Sequence, residues 1–213
     1  IQMGLTVEEA DLIISSIFGA PKTGVFGLLD VVGLDLMPHV LSSMIDNIDQ
    51  EDEYHLYAEP PEIFKYMLEN KLIGRKGIGG FYKLEIVNGK KLKKSINLKT
   101  KEYSESKRPS IDNLKLAKKD LTKFFDQSEN ISDYAWSVLS EFLLYTLNHA
   151  REISNDLISI DSAMRNGFGL QFGPFELMDK LGKTWIKNKL LASNKKIPTI
   201  LEKLEGETFY KKE

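Results

Sequence analysis

Cysteine is absent from this 213-residue chain, which excludes disulfides and thiolate-bound zinc. Histidine is scarce. His39, His55 and His149 are the only three, and none has a second histidine or a carboxylate at ligand spacing on its own helical face. A lone helical histidine is more often a packed or exposed side chain than a catalyst. No G-x-S-x-G, no H-E-x-x-H and no strand leading into G-x-G-x-x-G occurs, so the usual signatures of nucleophilic, metallopeptidase and dinucleotide chemistry are missing. No apolar run approaches the roughly 18 residues of a membrane span. The start is not a signal peptide, and a cytoplasmic location is the expectation. Charge of one sign is lacking too. The balance of 29 Lys/Arg against 31 Asp/Glu argues against a nucleic-acid binder. Ile1 stands where a methionine is expected, so the sequence reads as a piece of a longer chain.

What is present is a repeat. Gly24, Phe26, Leu28, Asp30 and Gly33 recur as Gly173, Phe175, Leu177, Asp179 and Gly182. Asp11 to Gly19 has the same length as Asp161 to Gly169. Pro61-x-Ile63-Phe64-x-x-Met67 is echoed by Pro198-x-Ile200-Leu201-x-x-Leu204, and Gly80-Phe-Tyr-Lys83 by Phe209-Tyr-Lys211. An apolar share of 42% and a charged share of 28% suit a soluble protein with a real core, and the length suits two domains.

The elements follow from spacing. Thr6-Val-Glu-Glu9 is a capping box for a helix with an Ala10, Ile13, Ile14, Ile17 face, stopped by Gly19 and Pro21. A short helix after Gly24 ends at Gly33. A longer one carries Leu36, Val40, Met44 and Ile48, with Pro38 in its first turn. Residues 46–59 read as an acidic loop, and Pro60-Pro61 opens the next helix. Phe81–Val87, Asn88-Gly89 and Lys90–Leu98 predict a β-hairpin, followed by a polar linker over 101–110. An amphipathic helix is expected over 111–125 and a long one over 131–153. Further helices are expected from Asp161, over Pro174–Leu181, over Trp185–Leu191 and over Ile197–Leu204. The second copy begins with the long helix 131–153. The first has nothing equivalent before Thr6, so Ile13, Ile14, Ile17 and the Leu36–Met44 face are expected to lack a cover and to favour self-association.

Three stretches are candidates for chemistry. Arg75-Lys-Gly-Ile-Gly-Gly80 has glycines and cations but follows a helix and precedes a strand, the reverse of a phosphate-binding loop. It reads as a tight turn that packs Phe81 and Tyr82 onto the core. Lys83–Lys123 is basic and could attract a phosphorylated ligand such as coenzyme A, but it reads better as a solvated, gatekeeping hairpin face. Pro21-Lys22-Thr23 sits on the exposed part of a rigid turn, where scaffolds often place ligand contacts.

Taken together, the Asp-x-x-Ile/Met element, the Gly-x-Phe-x-Leu-x-Asp-x-x-Gly repeat and Lys76-Gly-Ile-Gly-Gly-Phe-Tyr82 resemble the C-terminal helical domain of 3-hydroxyacyl-CoA dehydrogenases. Two copies in tandem resemble the dehydrogenase portion of long, multifunctional fatty-acid β-oxidation enzymes. The resemblance implies a mainly α fold: two tandem helical domains of the 6-phosphogluconate-dehydrogenase C-terminal-like type, with a small β-hairpin between them. It assigns 1–83 to the first repeat, 84–110 to the hairpin and linker, and 111–213 to the second repeat. It implies oxidation of an (S)-3-hydroxyacyl-CoA to the 3-oxo compound, with acyl-CoA as substrate. NAD and the catalytic residues would come from a Rossmann domain not in this sequence, so no catalytic, cofactor or metal residue is assigned here. The first-unit turn, Pro21, Lys22, Thr23 and Phe26, is the part that would face the acyl group. The alternative is a non-catalytic helical module for oligomerisation or domain docking.

Overall fold

The computed structural model describes residues 3–127 and 129–211. They fall into two compact units. One comprises the residues up to Leu12 with Thr23–Ser110, and the other comprises Ile13–Lys22 with the residues from Ile111 onward.

Helix α1 (Val7–Ile17), whose residues to Leu12 count with the first unit and the rest with the second, starts on the expected capping box. Thr6 Oγ1 accepts from Glu9 N at 3.2 Å, and the Glu9 carboxylate accepts from Thr6 N at 2.8 Å. Helix α2 (Gly24–Val32) stops at Gly33, whose φ of 102° suits glycine and whose N–H bonds Leu29 O. A 3-10 turn at Leu34–Leu36 leads into α3 (Met37–Asn47). The acidic loop holds a 3-10 segment, Glu53–Tyr57, capped by Asp52 accepting from Tyr54 N at 2.7 Å. Helix α4 (Glu62–Glu69) follows.

The hairpin pairs β1 (Tyr82–Val87) with β2 (Lys90–Ile96), Tyr82 lying opposite Ser95. Asn88 and Gly89 both have positive φ, 51° and 75°, as a two-residue hairpin turn requires. The linker expected over 101–110 is corrected by a third strand, β3 (Tyr103–Glu105), antiparallel to β2. Asn97 Oδ1 accepts from Lys99 N and Thr100 N at 2.9 and 3.0 Å, and this local turn sends the chain back along β2. The core gathers Val7, Leu34, Ile63, Met67, Leu72, Phe81 and Ile96, with Phe26, Leu29 and Phe64 against it.

In the second unit, the single helix expected over 111–125 is two: α5 (Leu114–Ala117) and α6 (Leu121–Phe125). Asp120 is extended and accepts from Thr122 N and Lys123 N, which caps a fresh helix instead of continuing the old one. Helix α7 (Asn130–Ile153) is the long one. Helix α8 (Leu157–Phe168) begins four residues before the expected start because Asp156 caps it, accepting from Ser159 N at 2.7 Å. Helices α9 (Pro174–Leu181), α10 (Lys183–Ala192) and the short α11 (Thr199–Glu202) complete the unit. Phe124, Phe125, Leu139, Leu143, Phe175, Leu177, Met178 and Ile186 are buried.

The fold is mainly α with one small antiparallel sheet, as expected. Half of the expectation about uncovered apolar faces is overturned. Ile13, Ile14 and Ile17 are buried. They belong to the second unit, where the neighbouring Phe18 packs edge-on against Phe142 of α7 at 5.7 Å. The Leu36, Val40 and Met44 face is exposed, as expected.

Candidate functional site

Each copy of the repeat is closed by a ring of hydrogen bonds built on two aspartates. In the first unit, Asp11 Oδ1 accepts from Phe26 N at 2.7 Å, and Oδ2 accepts from Gly27 N at 3.2 Å and from the Tyr82 hydroxyl at 2.8 Å. Asp30 then accepts from Phe81 N at 2.8 Å and Tyr82 N at 2.7 Å. The second unit repeats this bond for bond. Asp161 accepts from Phe175 N, Glu176 N and the Tyr210 hydroxyl at 2.9, 3.1 and 2.8 Å. Asp179 accepts from Phe209 N and Tyr210 N at 2.6 and 3.0 Å. The aspartate of the first helix thus caps the short helix from outside. The aspartate of the short helix holds the Phe-Tyr segment, and the tyrosine returns to the first aspartate.

The glycines are explained by this ring. A Cβ on Gly24 would lie 2.3 Å from Asp11 Cγ, and one on Gly173 would lie 2.3 Å from Asp161 Cγ. Burial pushes the Asp11, Asp30 and Asp161 carboxyls above the ordinary aspartate value, against the pull of the amides and hydroxyls that favour the charged form. Burial and then the facing carboxylates push the Tyr82 hydroxyl upward, and Tyr210 likewise. With these acceptors occupied by structural donors, the ring is a lock rather than an acid–base pair.

Pro21, Lys22 and Thr23 are exposed. Phe26 is half-buried and packs on Phe81 with ring centroids 4.6 Å apart. The turn is backed by its counterpart from the second copy. Gln171 N donates to Gly19 O at 3.0 Å, and a Cβ on Gly169 would touch Pro21 at 3.3 Å. Ser15 Oγ also donates to Pro21 O at 3.1 Å. The two copies differ here. The second turn is braced by Arg165 bonding Glu176 at 2.6 Å, while the other Glu176 oxygen accepts from Gly173 N at 2.8 Å. Ser15 and Gly27 occupy the equivalent positions of the first copy and provide no such brace.

The glycine-rich stretch is a tight turn, as read from the sequence. Gly74 and Gly79 pair, Arg75 N donates to Asp30 O at 2.8 Å, and a Cβ on Gly80 would fall 2.0 Å from Asp30 Oδ1. Asp30 fills the space a phosphate would need. Lysines of the basic region serve the sheet. Lys83 and Lys94 hold Glu85 at 2.6 and 2.5 Å, and Lys93 lies over the Tyr82 ring at 3.7 Å. One reading of the histidines is corrected: His149 does face a carboxylate, Glu152 three residues on, at 3.4 Å. That contact is solvent-facing, and among the described residues no group of three His, Asp or Glu could hold an ion. A cleft of 130 Å³ lined by Thr6, Glu8, Ser95 and Asn97 is smaller than a cofactor needs. Among the described residues no single helix is long and apolar enough to cross a membrane.

Sequence reasoning missed that the aspartates and the Phe-Tyr segments bond to each other. The signal was there in the shared Asp11–Gly19 and Asp161–Gly169 spacing and in the Phe-Tyr echo.

The sequence model of the 3-hydroxyacyl-CoA dehydrogenase C-terminal domain matches residues 1–84 and 137–209. A protein of Rickettsia prowazekii named as a fatty acid oxidation complex trifunctional enzyme is 33% identical over 178 residues, covering 84% of this chain and 24% of the relative. Its namesake in Rickettsia felis is 35% identical over 169 residues, 79% of this chain and 23% of the relative. A Bacillus subtilis protein named as a 3-hydroxyacyl-CoA dehydrogenase is 35% identical over 218 residues, 99% of this chain and 27% of the relative. The chain therefore spans about a quarter of the length of these relatives. No solved structure matches it significantly.

Proposed function

This chain belongs to the 3-hydroxyacyl-CoA dehydrogenase C-terminal domain family, and we propose that it is the substrate-covering part of an NAD-dependent 3-hydroxyacyl-CoA dehydrogenase of fatty-acid β-oxidation. The reaction moves hydride from the 3-hydroxyl carbon of an (S)-3-hydroxyacyl-CoA to NAD, releases the hydroxyl proton, and leaves the 3-oxo compound. The glycine-rich turn is filled by Asp30 and runs into a strand, which does not suit a dinucleotide, and this supports placing the cofactor and the catalytic groups on another domain.

The contrast between the two turns carries the reading. In the second copy the Arg165–Glu176 pair braces the turn, which acts as support. In the first copy Pro21, Lys22 and Thr23 are exposed on a turn held from behind by Gly19 and Gln171. A rigid, exposed turn is suited to touching a ligand without paying to order itself. Lys22 brings a cation for an anionic or carbonyl group and Pro21 an apolar ring for the acyl chain, while Thr23 and Phe26 are the candidate contacts of the first unit. The two copies correspond to repeats over 1–83 and 111–213, with the sheet and connection over 84–110 between them.

Incubating the purified 213-residue chain with acetoacetyl-CoA and NADH tests the division of labour. No NADH oxidation is expected, and turnover would overturn it. In the enzyme assembled with its nucleotide-binding domain, Lys22→Ala is expected to raise KM for acyl-CoA about three- to tenfold with the fold unchanged, as for one exposed charged contact. An unchanged KM would remove Lys22 from the site.

A further inference from the structure

Two patches of the first unit set large apolar side chains among charges of opposite sign. One patch is the hairpin. Leu84 lies opposite Lys93 and Ile86 opposite Lys91, so these four side chains share one face. Leu84 is 68% exposed and Ile86 75%. On the other face Glu85 holds Lys83 and Lys94. Among the described residues no carboxylate pairs with Lys90, Lys91 or Lys93, all three of which are exposed. The family match stops at residue 84 and resumes at 137, so this basic half of the hairpin lies outside it.

The other patch follows α3. Asp46, Asp49, Glu51, Asp52, Glu53 and Glu59 fall within residues 46–59, where no lysine or arginine occurs. Its 3-10 turn presents Leu56, 82% exposed, and Tyr57, 53% exposed. The turn is fixed by its own bonds. Asp52 caps it, and His55 Nε2 lies 3.0 Å from Asp49 O. A single exposed leucine needs no explanation. Two apolar side chains among lysines and two among carboxylates are complementary sets.

We propose that the Leu84–Ile86 face of the hairpin docks on the Leu56–Tyr57 turn of a second copy of this chain. In the contact the apolar pairs meet, and Lys90, Lys91 and Lys93 face Asp49, Glu51 and Glu59. The charges select partner and orientation, and the apolar side chains leaving water supply the affinity. Within one copy the two patches leave each other uncovered, as their exposure shows. An anionic bilayer would match the lysines but leave the acidic turn uncovered, whereas a second copy uses both. Because two different patches meet, the contact runs head to tail from copy to copy until a ring closes. Neither patch includes a residue of the exposed Leu36–Met44 face. The inference does not rest on the substrate-facing role of the Pro21 turn.

Sedimentation velocity of the 213-residue chain tests it. Association is expected to grow with protein concentration at about 50 mM salt and to weaken about tenfold or more at about 500 mM. Lys91→Glu with Lys93→Glu reverses the hairpin, and Asp49→Lys with Glu51→Lys reverses the turn, all four at exposed positions. Each variant alone is expected to lose association about tenfold or more, and an equimolar mixture of the two to regain it, because the reversed hairpin then finds a reversed turn. Circular dichroism checks that both fold. If one does not, Leu56→Ser with Ile86→Ser is used instead and is expected to weaken association about tenfold at either salt. A parent chain that stays monomeric at every concentration overturns the proposal. So does undiminished association of either variant alone, which would put the contact elsewhere on the surface, and so does a mixture that fails to regain it. Binding of phosphatidylglycerol vesicles by a monomeric parent, lost in the hairpin variant, would make the face a lipid surface and also overturns it.

Discussion

Replacing Asp30 with asparagine changes no shape and removes one acceptor. The carboxylate is 3% exposed and receives two backbone amides, Phe81 N at 2.8 Å and Tyr82 N at 2.7 Å. An asparagine oxygen serves one of them and turns its own N–H groups toward the other. A lost hydrogen bond to a charged acceptor is worth about 1.5–3 kcal/mol, and an amide left facing a donor costs about 1–3 kcal/mol more. Burial works the other way. It pushes the Asp30 carboxyl upward, so a neutral side chain recovers part of the desolvation cost. A net loss of about 2–4 kcal/mol remains, a fall in Tm of about 5–12 °C for a chain of this size. Urea unfolding followed by far-ultraviolet circular dichroism measures it. Asp179→Asn removes the same pair of bonds in a half-exposed setting where water replaces them, so a smaller loss is expected there. Trp136 and Trp185 both lie in the second unit, so indole fluorescence follows that variant. A loss under about 0.5 kcal/mol for Asp30→Asn would refute the view that this carboxylate locks the Phe-Tyr segment.

Three further expectations follow from the same geometry. Tyr82→Phe removes a donor that favours the Asp11 carboxylate, so the Asp11 pKa, already raised by burial, rises further. A raised folded pKa gives stability that is full below the unfolded value, about pH 4, and lost as pH rises through the folded one. The penalty of Tyr82→Phe, measured by urea unfolding, is therefore expected to be larger at pH about 7 than at pH about 4, and equal penalties would contradict the assignment. Gly80→Ala places a methyl 2.0 Å from Asp30 Oδ1 and 2.7 Å from Gly74 Cα. It is expected to cost about 3 kcal/mol or more in thermal unfolding, while Gly167→Ala, with nothing within 4 Å, should be tolerated. Arg165→Ala breaks a pair with side chains 39% and 29% exposed, so a loss of about 1 kcal/mol or less is expected. A much larger loss would mean the brace holds the whole second turn.

The repeat was legible in the sequence because it rests on local constraints. Gly33 and Gly182 end helices at positive φ, 102° and 80°. Thr6 and Glu9 close a cap within one turn, and Asn88-Gly89 makes a hairpin turn whatever surrounds it. The candidate turn was legible for the same reason, since glycine and proline mark it and its exposure follows. The split of 111–125 was missed because Asp120 had a local cap available that outweighed the apolar pattern. The strand Tyr103–Glu105 was missed because a polar three-residue segment becomes a strand only where an edge is waiting, here that of β2.

Chain order and spacing alone determined that two copies of one helical unit exist, where α1 starts, where α2 and α9 stop, and which glycines and aspartates correspond. Tertiary structure alone decided what those residues are for. Asp11 meets Tyr82 across 71 residues, and Asp30 meets Phe81 across 51. Ile13, Ile14 and Ile17 found a cover in the second unit while Leu36, Val40 and Met44 did not. Local propensity acts over one or two turns of chain, whereas burial and buried hydrogen bonds depend on which distant segments come to rest together.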